Sequence, residues 1–321
     1  MTGGSGFIGS ALVSRLVGAG HSVRVLDDNS RGHSRRLERV ASAIEFVNGD
    51  VRDYGAVDAA TRGMDAVAHL AFVNGTRFFY EKPRLVLEVG VKGAVNTLDA
   101  AIKHGVRRYW LMSSSEVYQT PSKVPTDETE GFRIPDPMNP RYSYGGGKII
   151  SELMAIHYGR ECFEQVVIVR PHNVYGPDMG WEHVVPQFAL RALDAARNHP
   201  EGPLPFPVLG DGTQTRSFVY IDDFADGCAL AFTKGEHLGI YHLGTLDEVT
   251  IAQLATKIVR SIGREIDLRF GQTPKGETGR RCPDIARARG LGYDPKVSLD
   301  EGIRKTVDWY RANAHLKPAD A

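Results

Sequence analysis

Thr2-Gly3-Gly4-Ser5-Gly6-Phe7-Ile8-Gly9 stands at the head of the chain, and its glycines fall at G-x-x-G-x-x-G spacing. Small residues at Gly3, Gly6 and Gly9 let the backbone come close to a pyrophosphate, with the positive end of the following helix facing it. Phe7, Ile8, Ala11, Leu12, Leu16 and Val17 then recur at helical spacing until Gly20,. A glycine triplet alone is also an ordinary turn. The next stretch decides between the two: Val23-Arg24-Val25-Leu26 reads as a strand ending in Asp27 and Asp28, with Asp27 eighteen residues past Gly9. A carboxylate at that distance suits an adenosine ribose and repels a 2′-phosphate, which favours NAD over NADP. Arg31, Arg35 and Arg36 stand close enough to accommodate such a phosphate instead.

A fingerprint of this kind belongs between a strand and its helix, yet only Met1 precedes Thr2,. The expectation is a true start about five to eight residues upstream, one strand's length. Mass spectrometry of the native protein tests it, and an intact mass beginning at Met1 would count against it.

Further strands follow in order: Ile44 to Val47, Asp65 to Ala71, Arg108 to Met112 and Glu164 to Arg170. Helical stretches from Pro83 to His104 and from Ser143 to about Gly159 separate them, so the fold class is α/β with a parallel, doubly wound sheet,. Ligands bind at the carboxyl ends of such strands, where Ser113-Ser114-Ser115-Glu116 lies,. Later come a helical stretch from Trp181 to Arg197, a proline-dense segment from Pro200 to Pro207 and a strand from Ser217 to Ile221. Amphipathic helices from Ile251 and from Leu299 complete the chain. Residues 1–175 read as the nucleotide-binding domain, and 176–321 as a smaller substrate lobe interleaved with it.

Tyr144 and Lys148 sit one helical turn apart,. An ammonium beside a phenol favours the phenolate, and a phenol so poised takes a proton from a hydroxyl as hydride leaves the same carbon. Alone, such a pair is commonly a surface pair. Gly145, Gly146 and Gly147 between them are poor helix formers, and close approach of cofactor or substrate is the reading offered for them,.

The chain is 321 residues long, with Lys+Arg and Asp+Glu equal at 39 each, so no net field recruits nucleic acid or an anionic membrane,. No apolar run approaches the roughly 18 residues of a membrane span. Three dispersed cysteines, Cys162, Cys228 and Cys282, show no metal spacing and fit a reducing compartment, so the reading is cytoplasmic with no metal site,.

Together TGGSGFIG, LDD, GDVRD, VAHLAF, MSSSEVY, YGGGK, RPHNVYGP, GDGTQTRSFVYIDD and SLDEGIRKTVDWY resemble the extended short-chain dehydrogenase/reductases that act as nucleotide-sugar epimerases, dehydratases and decarboxylases. The resemblance implies a Rossmann-type fold with NAD, oxidation at C4 of an NDP-hexose, most often a UDP-sugar, and a 4-keto intermediate. It places Gly3, Gly6, Phe7, Ile8, Gly9, Asp27, Asp28, Asn29, Asp50, Val51, Leu70, Ala71, Pro171, Asn173 and Val174 around the cofactor, with Tyr144 and Lys148. Ser114 would share the catalytic proton with Tyr144, and Asn173, Arg216, Val185 and Gln187 would contact the substrate. A homodimer is implied, through the helix containing Leu85 to Ile102 and the helix carrying Tyr144.

Ser115 and Glu116 carry the discrimination within the group. Its 4-epimerases usually hold small, non-acidic residues there, its 4,6-dehydratases a glutamate that removes the C5 proton, and its UDP-glucuronate decarboxylases Ser-Glu followed by Val-Tyr. Partial desolvation would raise the Glu116 carboxyl toward the range of a base; a structural role at the strand end is the alternative. Ser115 departs from the Asp-Glu pair of sugar dehydratases. Gln119 replaces a usual glycine, and Gly90 stands where the group usually has asparagine. Elimination or decarboxylation with Glu116 therefore ranks ahead of 4-epimerisation, and a non-catalytic NAD-binding protein is the remote alternative.

Overall fold

A computed structural model describes residues 1–272 and 279–318. Five parallel strands build most of the central sheet: β1 (Val23–Asp27), β2 (Ile44–Asn48), β3 (Ala66–His69), β4 (Arg108–Met112) and β5 (Gln165–Pro171). β1 pairs with β2 (Val23 opposite Ile44), β3 with β4 (Ala66 opposite Arg108) and β4 with β5 (Arg108 opposite Gln165). The slot between β1 and β3 is held by Met1 and Thr2. Thr2 bridges Leu26 on one side and His69 on the other, and Leu26 N donates to the Met1 carbonyl at 2.8 Å. Two residues thus occupy the position where a whole strand was expected.

Strand residues alternate between two cores, which is why β4 and β5 read as continuous apolar runs. Trp110, Met112, Val167 and Val169 meet helix α1 (Phe7–Gly18) and the helix Ile221–Lys234 on one face. Tyr109, Leu111, Val166 and Ile168 meet Leu98, Ala101 and Ala155 on the other, from the helices Gly93–Lys103 and Ser143–Cys162. The second lobe has its own core between the helices Val184–Asn198, Ile251–Ser261 and Leu299–Asn313.

Several elements differ from the sequence reading. The stretch from Pro83 is interrupted: Glu88–Lys92 forms a π-helical turn between the helices Pro83–Leu87 and Gly93–Lys103. Ile221 does not end a strand; it opens the helix Ile221–Lys234, after short strands at Thr215–Ser217 and Val219–Tyr220. The strand Gly239–Leu243 returns from beyond residue 176 and pairs with β5, Gly239 opposite Val167. The proline-dense segment contains the strand Leu204–Val208, parallel to Ile266–Phe270 in a two-stranded sheet. Both strands there are edges, and an edge tolerates a missing amide. Among the described residues no helix is long and apolar enough to cross a membrane.

Candidate active site

At the carboxyl ends of β1, β3, β4 and β5 the structure opens a cavity of roughly 410 Å³. Gly3 takes φ +71°, and a Cβ there would stand 2.7 Å from the Ala71 amide nitrogen. A Cβ on Gly9 would overlap the Gly3 carbonyl. The first turn of α1 has no side-chain cap, and Gly6, Phe7, Ile8 and Gly9 line the cavity, so the positive end of the helix opens onto it,. This is the cradle that a pyrophosphate fits.

Asp27 and Asp28 line the same cavity. Asp27 also shapes the cradle, accepting from Ser5 N and Asn29 N at 2.9 Å each. The neighbouring arginines already have partners: Arg35 and Arg36 pair with Asp178, at 2.7 and 3.0 Å, and Arg31, which also lines the cavity, donates to Glu182 and to the Asn74 carbonyl. Carboxylates at the ribose end, with these guanidiniums committed, suit an unphosphorylated dinucleotide. Asp50, Val51, Leu70 and Ala71 lie in the wall. Arg52 forks onto Asp50 and by that hydrogen bond holds its carboxyl below the usual range. Pro171, Asn173 and Val174 close the far side, with the Asn173 amide anchored to Ser217 O at 2.9 Å.

Ser114, Ser115, Glu116, Tyr144 and Lys148 all reach this cavity. Lys148 Nζ donates to the Met112 carbonyl at 2.6 Å and lies 4.1 Å from the centre of the Phe72 ring. Burial brings its ammonium down to about 7, against the pull of Glu152. The Tyr144 phenol departs from expectation. Burial raises it far above its ordinary value, the Ser114 hydroxyl draws it down by hydrogen bonding, and the Glu116 charge pushes it up. Phe79 stacks on its ring at 5.0 Å and Phe72 meets it edge-on at 5.0 Å, so aromatic contact keeps water from the phenol.

Glu116 departs from expectation as well. Burial does raise its carboxyl, but Arg281 overrides this, its Nη1 donating to Oε1 at 2.6 Å, and Arg141 and Arg216 add to the effect. The net shift is below the usual carboxylate range, so Glu116 is an ionised partner of a guanidinium.

The glycine run answers to the protein's own side chains. A Cβ on Gly145 would stand 2.6 Å from Gln119 Nε2, and one on Gly147 2.9 Å from Phe72 Cζ, while one on Gly146 would make only an ordinary contact, 3.8 Å from Ile134 Cδ1. Gln119 takes φ +54°, the conformation that the glycine usual at this position adopts freely, and its amide turns back onto the Glu116 carbonyl at 2.6 Å,.

Four expected residues are not in the cavity wall. Asn29 sits in the turn beyond Asp28 with φ +56°. Val185 is buried in the second lobe's core and Gln187 is exposed, because the helix Val184–Asn198 reaches the cavity only through His183 at its N-cap. Arg216 donates to the Thr215 carbonyl at 2.8 Å and acts on Glu116 through its charge. Conversely, Arg281, His183, Phe72 and Phe79 line the site without having been singled out. Phe72 directly follows the VAHLA strand end, a position that could have marked it; Arg281 lies 165 residues from Glu116 and carries no local signal.

The NAD dependent epimerase/dehydratase family matches residues 1–244. UDP-glucuronic acid decarboxylase 1 of Arabidopsis thaliana is 33% identical over 314 residues, 97% of this chain and 69% of the relative. The chain belongs to the NAD-dependent epimerase/dehydratase family. Among solved structures, dTDP-glucose 4,6-dehydratase from Streptomyces venezuelae with NAD bound superposes at a TM-score of 0.86 with 32% identity, covering 98% of this chain and 97% of that one. UDP-glucose 4-epimerase from Thermotoga maritima with UDP-glucose gives 0.85 at 29% identity, with 98% of each chain covered. Those three proteins bear the names of three different reactions. Likeness therefore fixes the family, its fold and its NAD dependence, and the reaction has to be argued from the residues of the site.

Proposed function

We propose that this family member acts on a UDP-sugar acid, oxidising C4 and then releasing the C6 carboxylate as carbon dioxide. The observation that carries the reading is the Glu116–Arg281 pair, 2.6 Å apart in the cavity that also holds Tyr144, Ser114 and Lys148. Bound NAD supplies a hydride acceptor and, later, a hydride donor. Tyr144 Oη, once ionised, takes the proton of the C4 hydroxyl, directly or relayed by the Ser114 hydroxyl, and becomes a neutral phenol; the Lys148 ammonium stabilises the phenolate that this step requires. A 4-ketone makes the C6 acid a β-keto acid, whose carboxylate leaves without needing a proton. Loss of water from C6 needs an acid to protonate the departing hydroxyl. Glu116, held ionised by Arg281, is ill suited to that, and Ser115 offers no carboxyl. A guanidinium in the pocket also suits recognition of a carboxylate or phosphate.

A 4-epimerase reading is favoured by one observation: Glu116 is already committed to Arg281, and epimerisation asks nothing of it. Incubation of the purified protein with UDP-glucuronate and UDP-glucose, followed by NMR of the products, separates the two. Release of carbon dioxide with formation of a UDP-pentose is expected. Tyr144→Phe should lower turnover by about 100-fold or more; near-normal turnover by this variant would overturn the mechanism. Interconversion of UDP-glucose and UDP-galactose without decarboxylation would replace the first reading by the second.

A further inference from the structure

Two glycines from separate helical segments clear space for the same ring. A Cβ on Gly90, in the π-helical turn Glu88–Lys92, would overlap the Phe72 ring, and one on Gly147, in the helix Ser143–Cys162, would stand 2.9 Å from its Cζ. Glycine is among the worst residues inside a helix, and π-turns gather at functional sites. A ring that only filled volume would not require both. Phe72 is half-buried and lines the cavity, with the Lys148 ammonium 4.1 Å from its centre and the Tyr144 ring 5.0 Å away at 78°.

We propose that Phe72 is a positioning residue for the acid–base pair: seated in the slot between Gly90 and Gly147, its ring holds the Lys148 ammonium and fixes the plane of Tyr144. The proposal rests on the reading of Tyr144 and Lys148 as that pair. An ammonium within about 6 Å of a ring centroid is attracted by the ring's quadrupole, more strongly where water is excluded. Other groups facing Lys148 contribute unequally. Glu152, one turn along the same helix, is shared with Arg170 of β5 and with Ser113. His69 of β3 is kept neutral by burial, its ring brought down to about 3. Tyr144, one turn back, is an un-ionised phenol, and Met112 of β4 offers only its carbonyl. Because burial leaves Lys148 close to neutrality, a modest attraction decides how much of it is charged,.

The test is a pH titration of the whole protein labelled with ¹³Cε-lysine, with Lys148→Met assigning the signal. Phe72→Leu should lower the Lys148 midpoint by roughly half to one pH unit, and the alkaline limb of turnover should move down with it. Phe72→Tyr should restore both. Gly90→Ala, which drives the ring from its slot, should reproduce the Phe72→Leu shift, and the double variant should go no further. An unmoved midpoint in either Phe72→Leu or Gly90→Ala overturns the proposal. The titration needs no substrate, so it stands apart from failure of the catalytic reading, which Tyr144→Phe reports.

Discussion

Two glutamate–arginine pairs of the same length behave differently. Glu152 and Arg170 meet at 2.6 Å with side chains 0% and 2% exposed; Glu116 and Arg281 meet at 2.6 Å with side chains 24% and 9% exposed. The first pair is closed. Glu152 also accepts from Ser113 and from Arg170 Nε at 2.9 Å, and Arg170 donates to Tyr118, whose hydroxyl lies 2.6 Å from His242 Nε2. Burial works against the Arg170 charge, yet Glu152 more than offsets it. The second pair lines the cavity. Separation and residue type are alike, so the difference in role comes from how many partners are internal and from access to water. A carboxylate wrapped in the protein's own donors has little left for a ligand. One that still faces a cavity retains that capacity.

Breaking the closed pair gives the largest effect. Glu152→Ala strands a buried guanidinium and should cost about 3–5 kcal/mol, read from urea unfolding; a loss comparable to that of a surface pair would remove the distinction.

Acid should act next. Burial, then the Arg170 charge, brings His242 down to about 3, and His69 behaves alike. The unfolded chain takes up a proton near 6.5 and the folded one does not until about 3. Stability should therefore fall as pH drops below 6.5, by up to about 1.4 kcal/mol per pH unit per histidine. Urea midpoints identical at pH 7 and pH 5.5 would show that neither buried ring resists protonation in the folded chain, His242 of the closed network included.

The smallest stability effect belongs to the open pair. Glu116→Gln should change stability by less than about 1 kcal/mol, since water reaches the site, while turnover falls because Arg281 loses the carboxylate that positions its guanidinium in the cavity,. A stability loss equal to that of Glu152→Ala would make the two pairs the same.

How far the sequence carries follows the same division. β4 was legible to the residue because its apolar run ends in a cluster of serines, and the cradle was legible because its glycines carry the spacing. The strand Leu204–Val208 was hidden by Pro205 and Pro207, which only an edge accepts. Neither Glu–Arg pair could be read, since Glu152 sits on a helix and Arg170 on a strand 18 positions on, and Arg281 joins Glu116 across 165. The glycines after Tyr144 suggest a close approach, and the sequence does not show to what. Gln119 and Phe72, which claim two of those spaces, are neighbours only in the folded chain.

Tyr144, Lys148 and Glu152 follow one another at four-residue intervals along the helix Ser143–Cys162, and Glu152 is tethered to β5 through Arg170. The helix therefore works as an indexed rod, pinned against rotation near its middle while its first two turns present the proton-handling groups. Ser115, Glu116 and Arg281 lie on segments outside that rod. Substitutions at those three positions leave the Glu152–Arg170 pin untouched, so the groups around the cavity can change while the rod that presents Tyr144 and Lys148 stays indexed.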